Sequence, residues 1–283
     1  MRIAVIGGHG FIGSEFSNYA KANGHETVVI GSDCDIFTEE GEKKAKLALQ
    51  SCDAMVFLAA KRHTHRFSMH EYLYNVRLAE RYMQLTVEMT VPNVVITSSC
   101  SVYSELLIPW KEDEFQTPLS LYGAAKQAID SLALWHNASD GMKIKSLRLA
   151  QVIGMGERKG FLLNTLIDNA IAKKKQAIYG RGIGRRQYIY VKDVCEAILH
   201  CIVSQHDKSG IYNIAMNYNV SIIELAELIN AIFGNSAGID LREEMPEDPR
   251  EYLMDVSKAK RELGWTAQYD LVTAFEDIKT NLD

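Results

Sequence analysis

A tyrosine and a lysine stand four residues apart at Tyr122 and Lys126, a spacing that puts both on one face of a helix. An ammonium beside a phenol favours its ionised form, and a phenol tuned in this way can pass a proton to or from an alcohol or a ketone. Upstream lies Gly7-Gly8-His9-Gly10-Phe11-Ile12-Gly13. Glycines at these spacings permit a tight turn and bring backbone close to a pyrophosphate at a helix N-terminus. A nicotinamide carried there would take the hydride that matches the proton. The loop reads in two registers, Gly8-x-Gly10-x-x-Gly13 or Gly7-x-x-Gly10-x-x-Gly13. Ser99, just past an apolar run, offers a hydroxyl to the reacting oxygen. Together these groups predict an oxidoreductase-type site.

An acid about 20 positions beyond such a loop bonds the adenosine ribose and disfavours a 2′-phosphate. Asp33 stands at that distance, beside Ser32, and no arginine adjoins it. NAD is therefore the expected cofactor, with NADP as the alternative. Cys100 reads as a packing cysteine, since no local histidine or helix N-terminus is evident to make it a thiolate. His63 and His65 have no second cluster at metal-ligand spacing, so they read as loop histidines near the cleft and no metal is expected. Lys173–Lys175 read as a solvated helix end that complements the dipole.

The elements that must position these groups follow from apolar periodicity. Short apolar runs, β-branched in the first, predict strands at 2–6, 27–30, 54–60, 93–97 and 144–150. Between them, helices are expected at 11–22, ended by Asn23-Gly24, at 39–49, at 69–90 and at 121–137. The strands are continuously apolar, as in a parallel sheet covered on both faces. A doubly wound α/β (Rossmann) domain follows. Ligands of such sheets bind beyond the C-terminal strand ends, where the glycine loop, Ala59-Ala60 and Ser98-Ser99 fall. The second half predicts helices at 161–175, 194–204 and 221–233, the last with Ser221 as N-cap and Glu224 completing a capping box. Strands are expected at 188–191 and 211–214, and a proline-punctuated loop at 245–250. This gives a dinucleotide-binding domain of 1–154 plus 187–215 and a smaller mixed α/β substrate-binding lobe of 155–186 plus 216–283.

The 283 residues carry a formal net charge of −5, with 47% hydrophobic and 24% charged residues. That balance argues against non-specific nucleic-acid binding, and an anionic ligand would need local arginines. Five cysteines with no C-x-x-C pair fit a reducing compartment. No apolar stretch approaches the ~20 residues of a membrane span, so no membrane association is expected, and the expected location is the cytoplasm.

The ordered series of motifs resembles the extended short-chain dehydrogenase/reductase family, in its nucleotide-sugar epimerase/dehydratase branch, over almost the whole chain. Gly7, Gly10, Phe11, Ile12 and Gly13 resemble its cofactor loop. Asp53, followed by Val56-Phe57-Leu58-Ala59-Ala60, resembles its adenine-side acid and cofactor-lining strand. Asn75-Val76 resembles the Asn-Val of its long helix. Ser98-Ser99-Cys100-Ser101-Val102-Tyr103 resembles its active-site strand, and Tyr122 and Lys126 its catalytic pair. Downstream, Tyr179-Gly180-Arg181-Gly182 through Arg186 and Tyr190-Val191-Lys192-Asp193-Val194, then Asp248-Pro249-Arg250 and Leu263-Gly264-Trp265, resemble its later signatures.

The resemblance implies that Ser99, Tyr122 and Lys126 are catalytic. It also implies that Leu58, Ala59, Ala60, Asn75, Asp53, Tyr122 and Lys126 adjoin the cofactor. Arg186 and Arg250 would grip a diphosphate, as bidentate guanidinium groups do well. Gln151 stands where an Asn near the substrate phosphates is common, and Gly31 where many relatives carry the ribose acid. Cys100-Ser101 replace the Asp-Glu of the 4,6-dehydratases, which disfavours water elimination. The implied activity is NAD(P)-dependent epimerisation of a nucleoside-diphosphate sugar through a transient keto-sugar. A ketosugar reductase using the same residues is the alternative, and a dinucleotide-binding sensor without chemistry a third. Relatives commonly dimerise through the helices at 69–90 and 121–137, so a homodimer is expected.

Overall fold

The computed structural model describes every residue except 62–66, 105–107, 115, 158–159, 205–207 and 283. Histidines 63 and 65 lie outside the described residues. The first half alternates strand and helix: β1 (Arg2–Ile6), α1 (Phe11–Ala22), β2 (Glu26–Ile30), α2 (Glu39–Leu49), β3 (Ala54–Phe57), α3 (Met69–Glu88), β4 (Asn93–Ser99), α4 (Leu121–Ser139) and β5 (Ile144–Leu149). With β9 (Gly210–Ile214), these strands form a six-stranded parallel sheet in the order β2-β1-β3-β4-β5-β9.

The alternation of side chains along each strand builds two cores. Ile3, Val5, Val56, Val95 and Leu147 pack on one face with Phe16 of α1 and with Val194 and Ile198 of α6 (Val191–Val203). Ala4, Ile6, Met55, Phe57, Val94 and Ile96 pack on the other, against Leu49 of α2, Tyr82 of α3 and Ile129 of α4. Burying each large apolar side chain contributes about 1.5–3 kcal/mol. The chain leaves β1 toward β2 and later returns on the other side to β3. The crevice between the β1 and β3 ends is thus the point where strand order reverses, and ligands of open α/β sheets bind at such a point.

Beyond this sheet the chain has two short sheets. β6 (Gln151–Ile153), β8 (Arg185–Tyr190) and β10 (Asn219–Ser221) form one, in the order β10-β8-β6, and β7 (Gln176–Tyr179) pairs with β11 (Ile239–Arg242). Helices α5 (Leu162–Ile171), α7 (Ile222–Phe233) and α8 (Leu271–Thr280) cover them. The expected capping box holds: Ser221 Oγ accepts from the Glu224 N–H, and Glu224 accepts from the Ser221 N–H. The helix expected at 161–175 ends earlier, because Lys173 turns to φ 53° and the chain enters β7. Among the described residues no helix is long and apolar enough to cross a membrane, and no group of three His, Cys, Asp or Glu residues could hold a metal ion.

Candidate active site

The glycine loop joins β1 to α1, and its glycines do separate jobs. Gly7 has φ 84°, and a Cβ there would lie 2.8 Å from the Ala59 nitrogen, in the turn after β3. A Cβ on Gly13 would lie 2.6 Å from Gly8 Cα, and closer still to the Gly7 carbonyl oxygen. Gly7 therefore makes the tight turn, and Gly13 lets α1 pack on it. Gly10 is the exposed N-cap of α1 with no side-chain cap, and a Cβ on it would meet only the Gly7 oxygen, at 3.3 Å. These roles select the Gly7-x-x-Gly10-x-x-Gly13 register. Gly8 is glycine for packing, since a Cβ there would lie 2.7 Å from Val29. The helix start carries orphan N–H groups and the positive end of the dipole. That is the setting a pyrophosphate requires.

Beyond the strand ends lies a cleft of about 480 Å³, lined by Phe11, Ile12, Leu58, Ala60, Ser98, Ser99, Cys100, Tyr122, Lys126 and Gln151, among others. Residues from the glycine loop, β3, β4, α4 and β6 thus meet in one place. Ser98 Oγ, in its wall, is buried with no hydrogen-bond partner among the described residues. An open helix N-terminus and an unpaired polar atom in one cleft fit a dinucleotide.

Three features of α4 bring Tyr122 and Lys126 into this cleft. Ser120 caps the helix, with Oγ accepting from the Gly123 N–H at 3.0 Å. Gly123 has no Cβ, so the first turn lies against the carbonyl of Ser101, in the 3-10 turn Cys100–Val102 that follows β4. A Cβ there would also lie 2.9 Å from Pro118. Lys126 is buried and its Nζ donates to the Thr97 carbonyl of β4 at 2.7 Å, 6.0 Å from the Tyr122 ring centre. One turn further on the same face, Asp130 accepts from Arg148 Nε at 2.9 Å and from Ser146 Oγ at 2.6 Å, both on β5. The stripe Tyr122, Lys126, Asp130 thereby fixes the helix rotation. Gly123 and Asp130 were not singled out from the sequence; the i, i+4, i+8 spacing was the available signal for Asp130. Ser99 Oγ accepts from the Ser101 N–H at 3.1 Å and donates to Ser101 Oγ at 3.2 Å, so it is held at the cleft wall.

Several other candidates are placed differently. Asp53 precedes β3, so it lies at the end of the sheet away from the cleft, where its carboxylate accepts the Arg2 N–H at 2.7 Å. It is not brought to the cleft; the signal was its place before its strand rather than after. Asn75 is buried on α3 and spends its amide on the backbone of Lys61, accepting at 2.7 Å and donating at 2.9 Å. It shapes the loop after Ala59 and Ala60 rather than reaching the cleft. Ala59 packs behind Gly7. Ser32 and Asp33 are exposed past β2. A Cβ on Gly31 would lie 2.9 Å from Asp33 Oδ1 and would also run into the His9 ring. The Asp33 carboxylate therefore fills the space a side chain at 31 would take, with His9 beside it.

Gln151 lines the cleft and also a neighbouring chamber of about 210 Å³ that reaches Arg186. Arg186 Nη1 donates to the Arg250 and Arg185 carbonyls at 2.7 and 3.0 Å, and Nη2 to Asp248 Oδ2 at 2.7 Å. Arg250 donates to both Asp248 oxygens, Nε to Oδ1 at 2.6 Å and Nη2 to Oδ2 at 2.7 Å. Those bonds from Arg250 hold the Asp248 carboxyl below its usual range. The two guanidiniums lie 4.4 and 5.6 Å from the Tyr252 ring centre. The structure thus gathers both predicted arginines around one carboxylate, and most of the Arg186 donors serve the 248–250 turn.

Comparisons agree with this geometry. The model of the family described as "NAD dependent epimerase/dehydratase family" matches residues 3–215. A protein of Bacillus subtilis (strain 168) described as an uncharacterized UDP-glucose epimerase, YtcB, is 27% identical over 314 residues, covering 99% of this chain and 96% of that protein. A crystal structure of UDP-N-acetylglucosamine 4-epimerase from Bacillus cereus superposes with a TM-score of 0.88 at 26% identity, covering 100% of this chain and 96% of that one. MoeE5 in complex with UDP-glucuronic acid and NAD superposes with a TM-score of 0.86 at 27% identity, covering all of both chains.

Proposed function

Because the chain belongs to the NAD dependent epimerase/dehydratase family, we propose that it interconverts epimers of a UDP-sugar with NAD. The observation that carries this reading is the single cleft in which Ser99, Tyr122 and Lys126 stand beside the start of α1. Bound NAD supplies a reversible acceptor and donor of hydride. Phe11, Ile12 and the orphan N–H groups of α1 would hold its pyrophosphate, and Asp33 would take its adenosine ribose.

The chain's own residues manage the proton and the substrate. Tyr122 as phenolate is the base at the sugar carbinol oxygen, taking its proton as the carbonyl forms, and the phenol so made is the acid that returns the proton as the carbinol reforms. Buried Lys126 places a fixed positive charge in the same cleft, 6.0 Å from the Tyr122 ring centre, where it stabilises negative charge that develops on the reacting oxygens. Ser99 donates to the same oxygen. Arg250 and Arg186 hold the nucleotide diphosphate, from the smaller lobe proposed as 155–186 plus 216–283, while the keto-sugar turns to offer its other face. The cleft wall next to Ser99 carries a thiol and a hydroxyl, Cys100 and Ser101, and neither is an acid suited to removing water from the sugar.

Incubation of NAD-loaded protein with UDP-glucose or UDP-N-acetylglucosamine tests the reading. The epimeric sugar should accumulate to equilibrium at constant absorbance at 340 nm. A net change at 340 nm with a UDP-ketosugar would instead favour the reductase.

Two finer readings accompany it. The protein is proposed to dimerise through α3 and α4, which pack together and leave Leu73, Leu134 and Trp135 exposed. Its five free thiols support a reducing compartment, the cytoplasm.

A further inference from the structure

The site is built from two segments, and one buried side chain is bonded to both. Tyr122 and Lys126 stand on α4, while Ser99 heads the turn Cys100–Val102. Arg148, on β5, lies opposite Ser98 in the register of β4 with β5, and its side chain is 0% exposed. Its Nε donates to Asp130 Oδ2 on α4 at 2.9 Å, and its Nη1 donates to the Tyr103 hydroxyl at 2.8 Å. Tyr103 in turn closes the turn that Ser99 begins, with its N–H on the Cys100 carbonyl at 3.1 Å. Asp130 lies two helical turns from Tyr122 on the same face. Among the described residues, Arg148 is the one whose side chain bonds both to α4 and to Tyr103.

The far side of this cluster is held as well. The Tyr103 hydroxyl donates to Asn213 Oδ1 of β9 at 2.7 Å, and Arg148 Nη1 also donates to the Glu112 carbonyl at 3.3 Å. The guanidinium lies 4.9 Å from the Tyr103 ring centre. Such a cluster is a weak source of stability. Two charges taken out of water recover little of their desolvation, and a buried pair is often exchanged for apolar side chains without loss. What it supplies is geometry. A guanidinium is planar and presents its donors in a fixed fork, so the Asp130 and Tyr103 oxygens are held at a set separation. The packing of Gly123 on the Ser101 carbonyl sets how closely the two segments approach, but contact of that kind is non-directional.

We propose that Arg148 is a positioning residue: bonded to Asp130 on one side and to Tyr103 on the other, it sets the separation of Ser99 and Tyr122. Both hydroxyls are thereby aligned on one reacting oxygen. The inference rests on the epimerase reading above and goes beyond it, since Arg148 is not among the residues that line the cleft.

Two variants test it. Tyr103→Phe removes one oxygen and keeps the ring stacked on Trp110. The triple variant Asp130→Leu/Ser146→Ala/Arg148→Met replaces the polar cluster by apolar side chains, so its Tm should stay within about 5 °C of wild type. With NAD-loaded protein and UDP-glucose or UDP-N-acetylglucosamine, kcat should fall about ten- to a hundred-fold in both, the scale of a misplacement of about 1 Å. KM and the Kd for NAD should stay within about two-fold, as expected where only alignment is lost. Thr86→Ala removes an equally buried hydrogen bond inside α3, and should lower Tm while leaving kcat unchanged. A kcat loss matched in KM and NAD affinity, or shared by Thr86→Ala, would mark general damage and overturn the proposal. Unchanged kcat in either variant that folds would overturn it too. The geometry is also read without turnover. In crystals of wild type and Tyr103→Phe, the distance from Ser99 Oγ to the Tyr122 hydroxyl should differ by about 1 Å, and equal distances refute the role of Arg148. Wild-type protein inert toward every sugar nucleotide tried would instead bring down the epimerase reading, while the two crystal structures would still decide whether Arg148 sets the separation.

Discussion

Replacing Gly10 by alanine should separate cofactor affinity from stability, and replacing Gly13 should not. Gly10 has φ −79° and ψ 172°, which alanine adopts freely. Its new methyl would meet only the Gly7 oxygen, at 3.3 Å, a clash relieved by a shift of a few tenths of an ångström. The small strain is offset by a less flexible unfolded chain, worth about 0.4–1 kcal/mol, so Tm should stay within about 3 °C. The methyl nevertheless stands at the uncapped start of α1. A pyrophosphate held back there loses at least one charge-assisted bond, about 1.5–3 kcal/mol, so Kd for NAD should rise about ten- to a hundred-fold. At Gly13 the methyl would sit 2.6 Å from Gly8 Cα, where carbon contacts need about 3.5–4.0 Å. Because that neighbour is backbone, α1 must retreat by about 1 Å. Overpacking of this kind costs about 1–3 kcal/mol, so Gly13→Ala should lose both Tm and NAD affinity. Differential scanning fluorimetry with and without NAD, and calorimetric titration, read both quantities. A Gly10→Ala protein that binds NAD like wild type would refute the seat assigned to the pyrophosphate.

Tyr122→Phe should retain NAD yet lower sugar interconversion by about 10²–10⁴-fold, the usual share of a positioned acid–base group; loss below ten-fold in a coupled epimerase assay would remove Tyr122 from the proton step. Burial pushes the Glu112 carboxyl above its usual range, so the folded protein binds that proton more tightly than the unfolded chain. Its contribution is thus present below the unfolded pKa of about 4.3 and lost as pH rises through the folded value. Glu112→Gln keeps the acceptor for the Asn213 N–H, bonded at 2.8 Å, and should flatten the fall of Tm as pH rises above the unfolded value; parallel curves for the two proteins would contradict this. Trp135→Glu, on the exposed face of α4, should shift sedimentation from dimer toward monomer with the fold intact by circular dichroism, and an unchanged sedimentation coefficient would discard the α3–α4 interface.

Much of the first half was legible because its determinants are short-range. The period of apolar residues and the Asn23-Gly24 stop set α1 at Phe11–Ala22, and continuous apolar runs marked β1 and β3, although β3 ends at Phe57 rather than at residue 60. The Tyr122–Lys126 spacing fixed a shared helix face before any packing was known. The second half was less legible for the same reason inverted. β6 and β10 have three residues each, and β11 is mostly exposed, so neither length nor periodicity marks them.

Which residues share a helix face, and where the chain must turn on glycine, were settled by the sequence alone, since backbone sterics and side-chain period act over a few residues. Which end of the sheet a residue reaches, and which partner consumes its polar atoms, were settled only by the tertiary structure. Asp53 fell at the far end of β3, Asn75 closed on Lys61, and Arg186 on the 248–250 turn. Such pairings join segments far apart in the chain, and only long-range packing of strands and helices chooses among them.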